Sequence, residues 1–122
     1  MSLGVWIGVG VLGGVGALLR FFVDGLVAAR PWRDFPLGTF VVNISGATIL
    51  GLLVGVGVSG DGLVLAGTAT LGSYTTFSTW MLESQRLVED GELTIAAANL
   101  VVSLAVGLGA VALGRFVGGH VF

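Results

Sequence analysis

The sequence predicts an all-α membrane protein with four membrane-crossing helices, and three observations predict it. Of its 122 residues, 55% are hydrophobic and only 10% are charged, against roughly 25% charged in an average soluble domain. A chain this short cannot hide so much apolar surface inside itself in water, so its solvent must largely be lipid. The apolar residues also gather into four stretches, each near the ~20 residues that a helix needs to cross a ~30 Å hydrocarbon core. Glycine, finally, supplies 22 residues without a collagen-like period, which in an apolar chain reads as close helix packing.

The first helix is expected over 3–28, where Arg20 and Asp24 stand four apart near its end and can pair while snorkelling to the interface. A solvated helix end and a functional pair are equally good readings of those two. The connector from Arg30 to Pro36 follows, with Pro31 and Pro36 breaking any helix and Trp32 and Phe35 suited to headgroup level. Pro36 can open the second helix, expected over 37–58. The run Ser59-Gly60-Asp61-Gly62 is a turn by composition, with Asp61 placed to cap a third helix over 63–86. That helix is expected to break near the midplane, because Gly72-Ser73-Tyr74-Thr75-Thr76-Phe77-Ser78-Thr79 is a poor stretch for uninterrupted lipid-facing helix. Leu87 to Leu93, with Glu89, Asp90 and Glu92 around Gly91, reads as a wet turn before a fourth helix over 94–117. No linker is long enough to divide the chain, so residues 1–122 read as a single four-helix transmembrane domain. The start, Met1-Ser2-Leu3, lacks the basic region of a signal peptide and is expected to remain in the mature protein.

Several function classes are excluded by composition. There is no cysteine and one histidine, His120, so neither a Cys/His metal site nor a triad of nucleophile, base and orienter can be assembled. An enzyme is not expected. The cations are all arginine (Arg20, Arg30, Arg33, Arg86, Arg115) and net charge is −2, so no nucleic-acid partner is expected either. Small-xxx-small spacings recur at Gly4/Gly8, Gly10/Gly14, Gly51/Gly55, Ser103/Gly107 and Gly114/Gly118, and these let helix backbones approach closely.

What remains are uncharged polar residues at similar depths: Thr39 and Asn43 four apart on the second helix, Ser78 and Thr79 after the break, and Ser103 on the fourth. Taken singly, each reads as interhelical hydrogen-bonding glue; as a set they read as a rail of neutral donors. Such donors, with the positive edges of Phe77 and Trp80, suit a small anion that must bind weakly enough to leave again. A helix broken at depth also frees backbone carbonyls, and at Gly72 and Thr75 these suit a hard monovalent cation.

Three strings occur in order: Gly16-Ala17-Leu18-Leu19-Arg20, then Pro36-Leu37-Gly38-Thr39-Phe40-Val41-Val42-Asn43, then Gly72-Ser73-Tyr74-Thr75-Thr76-Phe77-Ser78-Thr79-Trp80. With the four-segment pattern they resemble the CrcB/Fluc family of fluoride channels along almost the whole chain. The resemblance implies an antiparallel, dual-topology dimer in the cell membrane, with fluoride pathways between subunits and a structural sodium ion on the two-fold axis. It implies Asn43 as a pore amide, Phe77 as the first pore aromatic, Thr76, Ser78 and Thr79 as hydroxyl neighbours, and Ser103 as the pore hydroxyl of the fourth helix. Arg20 would stand at the pore entrance, Thr39 would be a further pore residue, and Gly72 and Thr75 would give their carbonyls to sodium.

The chain departs from the family pattern at four places. Trp80 stands where a second phenylalanine is usual, Ser73 where a second glycine is, Asn99 where tyrosine is common, and Gly107 where a second hydroxyl is. Some family members pair dissimilar subunits, each lending the intact surface that the other lacks. The partner is therefore either a second copy or a paralogous chain. Arg30, Arg33 and Arg86 fall on one side of the expected spans and Arg115 on the other, a bias that places the N-terminus outside and leans toward a fixed orientation. The function implied is passive export of fluoride, and none of the expected spans has an acidic residue near its centre to couple protons. Two other classes stay open: a small multidrug exporter, although residues 3–19 lack the buried carboxylate which that mechanism needs, and a non-conducting structural subunit.

Overall fold

The computed structural model describes residues 1–30 and 34–122; Pro31, Trp32 and Arg33 of the connector lie outside the described residues. Among the described residues there is no strand, and three helices are long and apolar enough to cross a membrane. The first, α1, runs Leu3–Ala28 and is capped by Ser2, whose Oγ accepts the Val5 N–H at 3.2 Å. The second, α2, runs Leu37–Val56 and stops at Gly57, which adopts φ +97°, a conformation that costs a glycine least. Pro36 sits just before the first turn of α2 rather than in it.

The third expected span is not one helix. Helix begins at Gly60 with Ser59 before it, so Asp61 falls in the first turn instead of capping it. A short α3 (Gly60–Leu63) widens into a π-helical stretch, Val64–Leu71, then tightens into α4 (Gly72–Tyr74) and stops. Thr75 is extended at φ −81°, ψ 163°, and helix resumes as α5 over Ser78–Glu89. The wet turn is correspondingly shorter than expected, since α5 continues to Glu89 with Gln85 Nε2 donating to Glu89 Oε1 one turn on at 3.2 Å. Only Asp90, Gly91 and Glu92 are left to turn the chain, with Gly91 at φ +77°. The last helix, α6, spans Leu93–Val121 and is longer at both ends than the expected 94–117.

Helix α2 lies along α6 over much of its length, while α1 packs on the π stretch, α2 and α4, and α5 packs on α6. The α2–α6 seam is made by glycines on both sides. A Cβ on Gly51 or Gly55 would overlap the carbonyls of Val111 or Arg115, and one on Gly114 or Gly118 would press on the Thr48 or Leu52 carbonyl. Backbone therefore meets backbone without an intervening side chain. The spacings on α1 behave differently, because Gly10, Gly13 and Gly14 have nothing within 4 Å of a built Cβ. A small core of Val42, Leu71 and Tyr74 sits where α2 meets the end of the π stretch, and the Tyr74 hydroxyl and Ser45 Oγ are 2.9 Å apart.

Candidate functional site

The site is organised by the interruption between α4 and α5. A carbonyl in an α-helix normally accepts from the N–H four residues on, but the Thr76 N–H that would serve Gly72 donates instead to Asn43 Oδ1 at 2.8 Å. Asn43 Nδ2 returns the contact, donating to the Thr76 carbonyl at 2.9 Å. The Asn43 carboxamide thus acts as a strand-like partner for one residue of unwound backbone and pins α2 to the break. Thr76 Oγ1 then accepts the Thr79 N–H at 3.2 Å, closing the first turn of α5, and lies 3.2 Å from Thr79 Oγ1. The sequence puts Asn43 at a depth similar to that of the polar residues after the break; that it holds the break open follows only from the fold.

Around this pin the expected site residues separate into two crevices. One, of about 310 Å³, gathers Arg20 and Asp24 of α1, Thr39 of α2, and Thr76 and Thr79 after the break. Arg20 Nη1 reaches the Thr75 carbonyl at 3.5 Å, the long limit of a hydrogen bond. Thr39 is almost fully buried beside the Glu83 carboxylate, whose Oε1 is buried and has no partner among the described residues. No local spacing singles out Glu83, because only the fold turns α5 toward α2; Asp24 was visible as the neighbour of Arg20.

The other crevice, of about 200 Å³, lies between α2, α5 and α6 and is lined by Asn43, Trp80 and Ser103 together with apolar residues and Gly107. Here the polar atoms face one another. Trp80 Nε1 donates to the Asn99 carbonyl at 2.9 Å, Asn99 Nδ2 to Ser84 Oγ at 2.8 Å, and Ser84 Oγ to the Trp80 carbonyl at 2.8 Å. Ser103 Oγ donates to Asn99 Oδ1 at a longer 3.4 Å. Phe77 and Ser78 line neither crevice; both are exposed, and the Phe77 ring stands edge-on to Trp80 with centroids 5.8 Å apart.

Gly72 and Thr75 border an apolar groove of about 630 Å³ that also takes in Gly46, Gly51 and Leu71. Among the described residues no group of three or more His, Cys, Asp or Glu side chains could hold a metal ion, so any cation there would rely on neutral oxygens.

Residues 7–115 match the family described as "CrcB-like protein, Camphor Resistance (CrcB)". The chain belongs to the CrcB-like family. Among its curated relatives, a protein of Mycolicibacterium paratuberculosis called "Fluoride-specific ion channel FluC 2" is 56% identical over 93% of this chain and 93% of its own length. A Mycobacterium bovis protein of the same name is 52% identical over 96% of this chain and 93% of its own. "Fluoride-specific ion channel FluC 1" of Symbiobacterium thermophilum is 40% identical over 93% of this chain and 96% of its own. With three helices able to cross a membrane and relatives of nearly equal length named as ion channels, this CrcB-like chain is a multi-pass membrane protein.

Proposed function

We propose that this chain is one subunit of a fluoride-selective passive channel of the cell membrane, which exports cytoplasmic fluoride and so protects against its toxicity. The observation that carries the reading is the Asn43–Thr76 pin: it sets an interrupted helix among uncharged donors, in a chain whose relatives are named for fluoride. Hydrogen fluoride crosses membranes as the neutral acid and dissociates inside, so a passive pore suffices for export. With the interior negative, each 100 mV drives an anion outward by about 2.3 kcal/mol, and no coupled proton is needed.

In this mechanism Arg20 and Thr39 draw the anion toward the membrane interior. Ser78, Thr79 and the second N–H of Asn43 replace part of its hydration by short, neutral hydrogen bonds, and the Thr76 hydroxyl orients that of Thr79. The edges of Phe77 and Trp80, and the Ser103 hydroxyl, line the remaining path. Neutral donors keep each step shallow enough for release. The exposed Phe77 and the groove beside Gly72 and Thr75 support a second subunit seated there, antiparallel to this one, either a second copy or a paralogous chain.

The Gly72 and Thr75 carbonyls fit a structural sodium ion. Gly72 has lost its helical donor to Asn43, and among the described residues Thr75 has only the long contact from Arg20. Bound between two copies, sodium would supply a fixed positive charge that ties the breaks together; this chain's part is to hold its two oxygens free of helix.

Efflux from proteoliposomes, followed with a fluoride electrode, tests the reading. Wild type should release fluoride, and Asn43→Asp, which sets a carboxylate against the Thr76 carbonyl and the anion, should lose about 100-fold or more. Folded Asn43→Asp and Phe77→Ala proteins that release fluoride at the wild-type rate would sink the assigned pathway. No release from folded wild type, alone or co-expressed with a neighbouring paralogue, would sink the function.

A further inference from the structure

Trp80 and Asn99 lie on different helices and are bonded to each other. The indole N–H of Trp80 donates to the Asn99 carbonyl at 2.9 Å, and the ring closes through Asn99 Nδ2, Ser84 Oγ and the Trp80 carbonyl. Asn99 and Ser84 are almost fully buried, at 1% and 5% exposure. In an apolar surround such a closed ring resists opening, because breaking it would leave the indole N–H of Trp80 or an amide N–H of Asn99 without an acceptor.

A donor held this way is unavailable to an anion. Were Trp80 to serve a passing ion through its N–H, it would first have to abandon the Asn99 carbonyl inside a low-dielectric crevice. The bond also fixes the orientation of the ring, which closes one wall of the crevice shared by Asn43 and Ser103 and meets Phe77 edge-on. Phenylalanine at this position would keep the ring and lack the tether.

We propose that Trp80, Asn99 and Ser84 form a latch across the α5–α6 crevice, in which Asn99 and Ser84 are positioning residues that hold the Trp80 ring in place and so limit anion passage past Asn43 and Ser103. The proposal rests on the fluoride-channel reading, and it gives Trp80 a restrictive role where a pore donor would be permissive.

The test compares wild type, Trp80→Phe, Ser84→Ala and Asn99→Ala, each shown folded by size-exclusion chromatography, in fluoride efflux from liposomes. Trp80→Phe should raise the rate about tenfold, the effect of removing roughly one hydrogen bond from the barrier. Ser84→Ala and Asn99→Ala should each raise it about threefold, with no further gain when combined with Trp80→Phe, since all act on one ring. A fall in Trp80→Phe would mean that the N–H is a pore donor, and an unchanged rate would mean that the ring limits nothing; either overturns the latch. A rise in Trp80→Phe alone, with the other two at the wild-type rate, would assign the effect to ring size and also overturn it.

The indole signal gives a readout apart from flux. In a Trp6→Phe, Trp32→Phe background, the Trp80 N–H resonance should stay unmoved as sodium fluoride is titrated, and a fluoride-dependent shift would overturn the latch. Flux in wild type with no rise in Trp80→Phe defeats the latch alone. No flux in wild type or any folded variant defeats the channel reading, and with it the latch's role in passage.

Discussion

The two crevices near Asn43 both carry hydrogen-bonding side chains, one with charged groups and one without, and they differ in what those side chains are still free to do. In the crevice of Arg20, Thr39, Thr76 and Thr79, a guanidinium makes only a long contact to Thr75, and the Thr79 hydroxyl accepts from Thr76 while its own proton has no partner among the described residues. In the crevice of Asn43, Trp80 and Ser103, the indole and hydroxyl protons already have acceptors within the subunit. A polar residue beside a cavity is thus no measure of a binding site. The measure is the hydrogen-bonding capacity left after the fold has been satisfied.

The largest effect expected of any single change would erase the comparison itself. Both crevices share α2, which is held to α6 through glycine, so Gly51→Val, whose side chain has no room against the Val111 carbonyl, should cost about 3 kcal/mol or more. Thermal unfolding in detergent should show the loss, and a Tm within a degree of wild type would mean that the seam is looser than it looks. Next, Arg20→Gln removes the one cation in the first crevice and should slow fluoride efflux about tenfold at low salt. The gap from wild type should narrow as ionic strength rises, because a charge that is only partly buried is still screened; a gap independent of salt would assign Arg20 a packing role instead.

Thr79→Val keeps the shape of the side chain and removes the free proton, and a few-fold slowing is expected in the same assay. Equal rates would place the path elsewhere. The smallest effect should come from restoring a donor to the depleted crevice. A Cβ on Gly107 would meet nothing nearer than Ile44 Cδ1 at 3.7 Å, so Gly107→Ser fits without repacking and should raise efflux about two- to threefold. A fall would show that this crevice is narrow rather than poor in donors.

Much of the helical pattern was legible in the sequence because hydropathy and punctuation are local. Helix α1 runs Leu3–Ala28 as expected, and the polar run from Gly72 to Thr79 marks the break that the backbone makes at Thr75. The π-helical stretch was not legible, since a five-residue hydrogen-bond step leaves no mark in an apolar run. The extension of α5 to Glu89 was missed because its charges read as a turn, while the Gln85–Glu89 pair needs helix to form. At the site, Asn43, Thr76, Thr79 and Arg20 could be singled out one by one, whereas the Asn43–Thr76 pin and the Trp80–Asn99 bond depend on which helix faces which. Those are contacts between residues 33 and 19 positions apart, and no local spacing encodes them.

The reciprocal glycines of α2 and α6 have a mechanical consequence. Side chains between helices act as springs, each with rotamers to hop among and methyl groups to compress; where main chain rests on main chain there is little to compress and no rotamer to change. Along the stretch from Thr48 to Val56, α2 is therefore expected to yield little against α6. The compliance of the subunit is left to the short segment between Tyr74 and Ser78, where the helix is already interrupted.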